Sequence, residues 1–224
     1  MMKLHLVLLS LAALLLSACS DPSNQPSGLE VYETYDRPAS WPGKPSEVRV
    51  KVSTSRQRVY VMEGDKPLLV MPVSVGYPGS PTPKGKFRVS EKNRYKRANS
   101  HGYAYSGKNI KKVARSNKPS GWSFKGTPLP YWVEFKPNYG FHTGWIKHTP
   151  CTSDGCIRMH QNVAPKFFAL VKVGTPISIA SSQPEDAKYG SIPLPPDAGP
   201  LPDYPSSFYL TQEPFAKHLE PVFE

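Results

Sequence analysis

The sequence predicts a mainly β domain with one or two short helices, flanked by two proline-rich ends. Short segments alternate between apolar and polar residues, which is typical of half-buried strands, and turns rich in glycine and proline separate them. The chain has 224 residues and 26 prolines, more than twice the usual share, and most prolines lie outside these segments. One domain of ordinary size therefore fits the chain, and the folded part is shorter than the chain.

The first strand is predicted at Val48, where valines alternate with polar residues, and a turn at 63–66 joins the second predicted strand to the third. In order along the chain, the patterns predict strands at 48–52, 59–61, 67–76, 87–89, 131–135, 139–142 and 175–180.

One helix is predicted near the end of the domain. Asn162 is expected to cap it, Pro165 fits its first turn, and it runs to about Val171 before Gly174 stops it. We therefore place the domain at 48–180, followed by a proline-rich tail at 181–224 that is partly ordered and lies over the domain.

The N-terminus indicates export. Lys3 is followed by an apolar run at 6–16, which is too short to span a bilayer but typical of a signal-peptide core. The run ends in Leu16-Ser17-Ala18-Cys19, which resembles the lipobox of bacterial lipoproteins; a plain signal peptide is the alternative. The resemblance implies a signal peptide at 1–18, lipidation of Cys19 and a tether at 19–47 that anchors the protein to a membrane, facing the periplasm or cell wall.

The net charge of +11 favours an anionic partner: nucleic acid, an acidic membrane surface or a carboxylate-rich polymer. Much of this charge lies between Glu91 and Glu134, where no acidic residue occurs and ten lysines and arginines are joined by tyrosines. Export argues against nucleic acid, so the segment is either a solvated loop or a lid that attracts substrate carboxylates.

The most specific pattern is Phe141-His142-Thr143-Gly144 followed, after a loop, by Ser153-Asp154-Gly155-Cys156-Ile157-Arg158. It resembles the signature of the YkuD-type L,D-transpeptidase catalytic domain, in which an upstream histidine precedes Ser/Thr-His-Gly-Cys and an arginine. The segments at 82–87, 128–135 and 171–176 also resemble that family, so the resemblance covers roughly 48–180.

The resemblance implies a β-sandwich-like domain that acts on peptidoglycan tetrapeptide stems, without a cofactor and as a monomer. Cys156 is the expected nucleophile and His142 its base, since an imidazole can take the thiol proton and form an ion pair with the thiolate. The amides of Gly155 and Cys156 are expected to face the oxyanion. Arg158 and Tyr131 are the expected substrate contacts.

Several alternatives stay open at these positions. Ser153 is either catalytic or a loop hydroxyl that bonds its own backbone, and Arg158 binds a substrate carboxylate or forms a structural salt bridge. Cys156 could instead pair with Cys151. A zinc site would have to draw on residues with irregular spacing, namely His142, His148, Cys151, Cys156 and His160, so no metal is expected.

Asp154 departs from the family pattern, which usually has histidine at that place. A carboxylate beside a thiolate raises the thiol pKa, so we expect Asp154 to be turned away, paired with a cation or capping the loop. The acyl acceptor, whether a stem amine, a protein amine or water, is left open. An L,D-carboxypeptidase or amidase, or a non-catalytic wall-binding lipoprotein, are the alternative functions.

Overall fold

The computed structural model describes residues 40–144, 146, 153–189 and 204–216. Within them the strands are β1 (Val48–Ser53), β2 (Arg58–Glu63), β3 (Lys66–Pro72), β4 (Gly85–Arg88), β5 (Glu91–Asn93), β6 (Arg97–Ser106), β7 (Asn109–Ala114), β8 (Ser123–Pro128), β9 (Trp132–Lys136), β10 (Tyr139–Thr143), β11 (Ile157–Met159) and β12 (Pro176–Ala180). The helices of the described part are α1 (Ala164–Leu170), α2 (Glu185–Tyr189) and α3 (Glu213–Ala216), with 3-10 turns at Pro45–Glu47, Arg115–Asn117 and Phe208–Leu210.

The strands form three sheets. The first has the order β3-β2-β1-β12-β4, the second β11-β10-β9-β5 and the third β7-β6-β8. Pairing is antiparallel except between β1 and β12 and between β10 and β11, which run parallel. The third sheet is an insertion between β5 and β9, which are themselves neighbours in the second sheet.

One hydrophobic core lies between the first two sheets and α1. Val50 and Ile177 reach it from the first sheet, Phe141 from the second and Phe167 from the helix, and the last two rings lie 4.7 Å apart. The outward residues of β1 are Arg49 and Lys51, which explains the alternation in the sequence. The mainly β, sandwich-like architecture is thus confirmed.

The predicted strands occur close to their predicted bounds, whereas the predicted helix cap is wrong. Helix α1 begins at Ala164 and its N-cap is Val163, which makes no side-chain cap hydrogen bond. The backbone N–H of Asn162 instead donates to Nδ1 of His160, at 3.3 Å. Pro165 occupies the first turn as predicted.

Sequence patterns did not reveal the third sheet. Strands β6 and β7 carry mostly exposed or half-exposed polar residues, so they lack a clear apolar alternation, although Tyr103 and Ala104 are buried. The basic segment between Glu91 and Glu134 therefore contains a folded sheet. The sequence had predicted either a solvated loop or a lid there, and neither prediction included strands.

The N-terminal predictions, including the signal peptide and Cys19, lie outside the described residues. Within the part of the chain that the structure describes, no helix is both long and apolar enough to cross a bilayer.

The beginning of the predicted tail packs on the outer face of the first sheet. The carboxylate of Asp186 accepts hydrogen bonds from Tyr60 Oη at 2.7 Å, from Ser53 Oγ at 2.8 Å and from the backbone N–H of Gln183 at 2.9 Å. Glu185, the residue before it, pairs with Lys51 of β1. Helix α2 therefore covers the ring of Tyr60, which is fully buried.

We predict that Asp186→Ala lowers the free energy of unfolding by about 2–4 kcal/mol, because it removes a charged acceptor and leaves the buried Tyr60 hydroxyl without it. Urea denaturation measures the change. Asp65→Ala, in an exposed turn, is the matched control and should have little effect. Equal midpoints for the two variants would contradict the anchoring role of Asp186.

Candidate active site

The parallel pair β10 and β11 brings the two halves of the motif together. Phe141 is in register with Ile157 and His142 with Arg158. Since paired residues share a sheet face, Phe141 and Ile157 enter the core while His142 and Arg158 lie on the opposite face. Cys156 precedes β11 by one residue, so the same register sets it beside Gly140 on the face that carries His142.

A second contact holds β11 in place. Ser74 and Arg158 exchange backbone hydrogen bonds of 3.0 and 2.9 Å, and Gly76 forms a bridge with Ser153. The turn that carries Cys156 is thus fixed to the segment after β3 as well as to β10.

Ser153 closes the turn before the cysteine. Its side chain is 1% exposed, and Oγ donates to the carbonyl of Cys156 at 2.7 Å. The carbonyl of Ser153 accepts from the N–H of Tyr77 at 3.0 Å. Of the two readings of this residue, the geometry supports the loop hydroxyl that bonds its own backbone.

Gly155 cannot be replaced without strain. Its φ is +96°, and a Cβ there would lie 2.6 Å from Cε1 of Tyr139 and 3.3 Å from the carbonyl oxygen of Pro81. Next to it, Gly76 donates its N–H to Oγ1 of Thr82 at 2.9 Å. This contact joins the segment at 82–87 to the site. That the amides of Gly155 and Cys156 face the oxyanion stays a prediction.

His142 is held as a neutral base. Its ring is 8% exposed, and Nδ1–H donates to the carbonyl of Thr143 at 2.8 Å. The pKa of His142 is lowered to about 4, mainly by burial; the Thr143 carbonyl opposes this shift and the charge of Arg158 adds to it. With Nδ1 protonated and the ring neutral, Nε2 carries the free lone pair at neutral pH.

Cys156 is a free, partly exposed thiol. Its Sγ lies 3.8 Å from the carbonyl oxygen of Asn138, which can accept the S–H. Burial raises the pKa of Cys156; the Gly140 backbone and Arg158 oppose this shift, whereas the charges of Asp154 and Glu134 add to it. The resting thiol is therefore protonated.

The two pKa shifts favour a neutral pair at rest, so an ion pair between His142 and Cys156 stays a prediction for the reacting state. Among the described residues, the imidazole of His142 and the thiol of Cys156 make no hydrogen bond to each other, since each bonds to a backbone carbonyl. The physical reason is burial, which disfavours both the imidazolium and the thiolate.

Arg158 and Asp154 act on each other. The aliphatic stem of Arg158 packs on Gly144, where a Cβ would lie 3.0 Å from its Cδ. Burial lowers the pKa of Arg158, and the carboxylate of Asp154 opposes that shift. Asp154 itself is exposed. Its charge raises the pKa of both Arg158 and Cys156, and the expectation that Asp154 is turned away or paired with a cation stays a prediction.

The structure places Tyr131 away from this face. Its ring is 4% exposed in the core and lies edge-on to Phe168 at 5.3 Å, so the expected substrate contact has no support. The neighbouring Trp132, which sequence analysis missed, stacks on His142 instead, with ring centroids 6.1 Å apart and an interplanar angle of 26°. Because Val133 and Phe135 of β9 lie in the core, strand alternation places Trp132 on the opposite face, which is the face of His142. This alternation is the sequence pattern that could have identified Trp132.

The inserted third sheet is linked to the site by Lys96, the residue before β6. Nζ of Lys96 lies over the ring of Trp132 at 5.7 Å and pairs with Glu91 at 2.8 Å. The far part of the tail packs on the insertion: Tyr209 stacks on Tyr103 at 5.1 Å, and its carbonyl accepts from Arg97 at 2.8 Å.

No group of three or more histidine, cysteine or carboxylate side chains suited to a metal ion occurs in the described part of the chain. Cys151 and His148, which the disulfide and zinc alternatives need, lie outside the described residues.

Comparison with known protein families gives one match. The model of the L,D-transpeptidase catalytic domain, YkuD, matches residues 47–179. Comparison with curated proteins finds no match.

The chain is also similar to solved structures. The L,D-transpeptidase (Yku) of Stackebrandtia nassauensis is 21% identical, with 65% of this chain and 60% of that chain covered at a TM-score of 0.46. An L,D-transpeptidase of Mycobacterium smegmatis is 21% identical, with coverage of 60% and 58% at 0.46. The catalytic domain of an Enterococcus faecium L,D-transpeptidase is 22% identical, with coverage of 59% and 96% at 0.43. The chain spans about three fifths of the length of the first two.

We predict that the alkylation of Cys156 by iodoacetamide becomes fast at a higher pH than that of an ordinary thiol, whose pKa is about 8.5, because burial raises the pKa of Cys156. Asp154→Asn should move the alkylation profile to lower pH, because the Asp154 charge raises the thiol pKa, and Arg158→Gln should move it to higher pH. The alkylation rate against pH measures both, with Asp65→Asn as control. A shift of the Asp154→Asn profile to higher pH would show that the carboxylate plays another role.

Proposed function

Because the chain belongs to the YkuD family of L,D-transpeptidase catalytic domains, we propose that it is a peptidoglycan L,D-transpeptidase. The observation that carries the proposal is the placement of Cys156 and His142 on one face of a parallel strand pair, with a neutral imidazole whose Nε2 lone pair is free. A tetrapeptide stem is the acyl donor. Its scissile bond joins the L-centre of the third residue, a diamino acid, to the terminal D-alanine.

Acylation begins when the thiol turns from the Asn138 carbonyl and gives its proton to Nε2 of His142 as Sγ attacks the scissile carbonyl carbon. The oxyanion lies at the amides of Gly155 and Cys156. Collapse of this intermediate breaks the C–N bond, and the imidazolium gives its proton to the leaving amine of D-alanine. The products are a thioester on Cys156 and free D-alanine.

The low pKa of His142 suits the second half of this step. An imidazolium in that site is a strong acid, so it readily protonates the leaving amine. The same pKa makes it a weak base, so proton transfer from the thiol must accompany attack and cannot precede it. Arg158 is the group that holds the terminal carboxylate of the donor.

Deacylation follows the same path in reverse with a new nucleophile. An acceptor amine gives its proton to His142, attacks the thioester and restores the thiol. A side-chain amine of a second stem yields a 3-3 cross-link, the amine of an anchored protein yields protein attachment, and water yields a tripeptide. We propose the amine as acceptor, with hydrolysis by a carboxypeptidase or amidase as the alternative.

We predict that Cys156→Ala abolishes both acyl-enzyme formation and turnover, and that His142→Ala slows acylation by about 10²- to 10⁴-fold, as for a lost general base. Mass spectrometry of the purified protein mixed with tetrapeptide muropeptides distinguishes the acyl-enzyme, the cross-linked dimer and the tripeptide by mass.

Cys151→Ala is the matched control and should keep most of the activity. Equal loss from the two cysteine variants would favour a disulfide or metal role for the pair. A wild-type protein that forms no acyl-enzyme would identify a non-catalytic wall-binding protein.

We further propose that the protein is exported and anchored through a lipid on Cys19, with its domain facing the periplasm or cell wall. Support comes from the apolar run at 6–16 and the four residues that end at Cys19. The proline-containing segment that follows would hold the domain away from the membrane.

Cys19→Ala is expected to release the protein from membranes without inactivating it, because the anchor is remote from the site in sequence. Fractionation in high salt, together with the muropeptide assay, measures both effects. A variant that still sediments with membranes would overturn the lipid anchor.

A further inference from the structure

Two rows of residues cross the second sheet on the face that carries the site. Extending the observed registers, Trp132 lies beside His142, which lies beside Arg158; Glu134 lies beside Gly140, which lies beside Cys156. The middle residue of the second row has no side chain. The nucleophile is therefore separated from β9 by a gap above Gly140.

The indole of Trp132 leans into this gap. A Cβ on Gly140 would lie 2.9 Å from both Cη2 and Cζ2 of the indole, so the benzenoid edge rests over the glycine. Nε1 is two bonds from Cζ2 and thus lies close to the same gap. One face of the indole stacks on the His142 ring.

The N–H of this indole lacks an acceptor. Trp132 is 2% exposed, and Nε1 has no hydrogen-bond partner among the described residues. A buried donor without an acceptor loses its hydration without compensation, so such groups are rare and call for an explanation. Phenylalanine would keep the stacking without that cost. A tryptophan beside the nucleophile is accounted for if its N–H is used when substrate is present.

We propose that Nε1–H of Trp132 donates a hydrogen bond to a backbone carbonyl oxygen of the acyl-donor stem. The inference rests on the proposed function, since it assigns a substrate contact of that same site. Trp132 binds and positions the donor across Gly140, and the reacting atoms remain those at Cys156 and His142.

The charges around the gap determine whether the oxygen that accepts from Trp132 belongs to a carboxylate or to a neutral amide. Glu134 lies on the β9 side of the gap, and its negative charge disfavours a carboxylate there. Arg158 lies on the β11 side, where the terminal carboxylate is expected. The donor stem therefore runs across the strands, with its carboxylate toward β11 and a neutral amide carbonyl toward Trp132.

The test compares Trp132→Phe with Trp122→Phe, a control at the residue before β8 of the inserted sheet. Both are placed in the Cys156→Ala protein, and binding of a tetrapeptide stem is measured by calorimetry together with the thermal midpoint of unfolding. We expect Trp132→Phe to weaken binding by about 3- to 10-fold, the range of one neutral hydrogen bond. Its unfolding midpoint should be unchanged or higher, and Trp122→Phe should leave binding unchanged.

A second measurement keeps tryptophan in place. Stems in which one backbone carbonyl outside the scissile bond is reduced to methylene are bound to the Cys156→Ala protein and to its Trp132→Phe derivative. One such stem should lose affinity for the first protein and lose none for the second, which identifies the carbonyl.

The remaining outcomes overturn the inference. Equal stem affinity with and without the indole N–H would exclude the contact while leaving the proposed function intact. A lower unfolding midpoint for Trp132→Phe with unchanged affinity would mean that water or a residue outside the described part satisfies the N–H. Failure of the Cys156→Ala protein to bind any stem would overturn the proposed donor, and this inference with it.

Discussion

The site depends on the register between β10 and β11. A slip of one residue would turn His142 and Arg158 into the core and expose Phe141 and Ile157, since side chains alternate along a strand. The large apolar residues of these strands are fully buried, so the core fixes the register and the register fixes the chemistry. The backbone exchange between Ser74 and Arg158 then prevents β11, only three residues long, from shifting.

Sequence patterns predicted those parts of the molecule in which core packing requires apolar residues at regular intervals. The alternating valines specified β1 and β2, and the motif specified the nucleophile and its histidine. The inserted sheet was missed because its strands face solvent and carry lysines where a core strand would carry valines. Tyr131 does not meet the expectation of a substrate contact, because the turn before β9, where its φ is +56°, directs its ring into the core. Contacts such as the stacking of Trp132 need the strand register, which no local pattern supplies.

Burial explains the electrostatics of the pair. Burying an imidazole and a thiol costs less desolvation free energy when both are neutral. The downward pKa shift of His142 and the upward pKa shift of Cys156 both follow from this difference. In the proposed mechanism, charge on this pair arises only during the reaction. The basic residue at 158 partly compensates by favouring the thiolate, and the exposed carboxylate at 154 moderates that cation. The departure from the family pattern at Asp154 therefore changes the charge that acts on both Cys156 and Arg158.

The described parts of the proline-rich tail pack on the domain. Helix α2 covers the first sheet, and the segment at 204–216 covers the insertion, where Phe215 lies edge-on to Tyr95 at 5.6 Å and under the Arg97 guanidinium at 5.1 Å. Lys96, which directly precedes the insertion, lies over Trp132, and Trp132 stacks on His142. A continuous set of contacts thus runs from the tail to the base. The surroundings of His142 therefore include contacts that lead back to the described segment at 204–216, outside the predicted domain at 48–180.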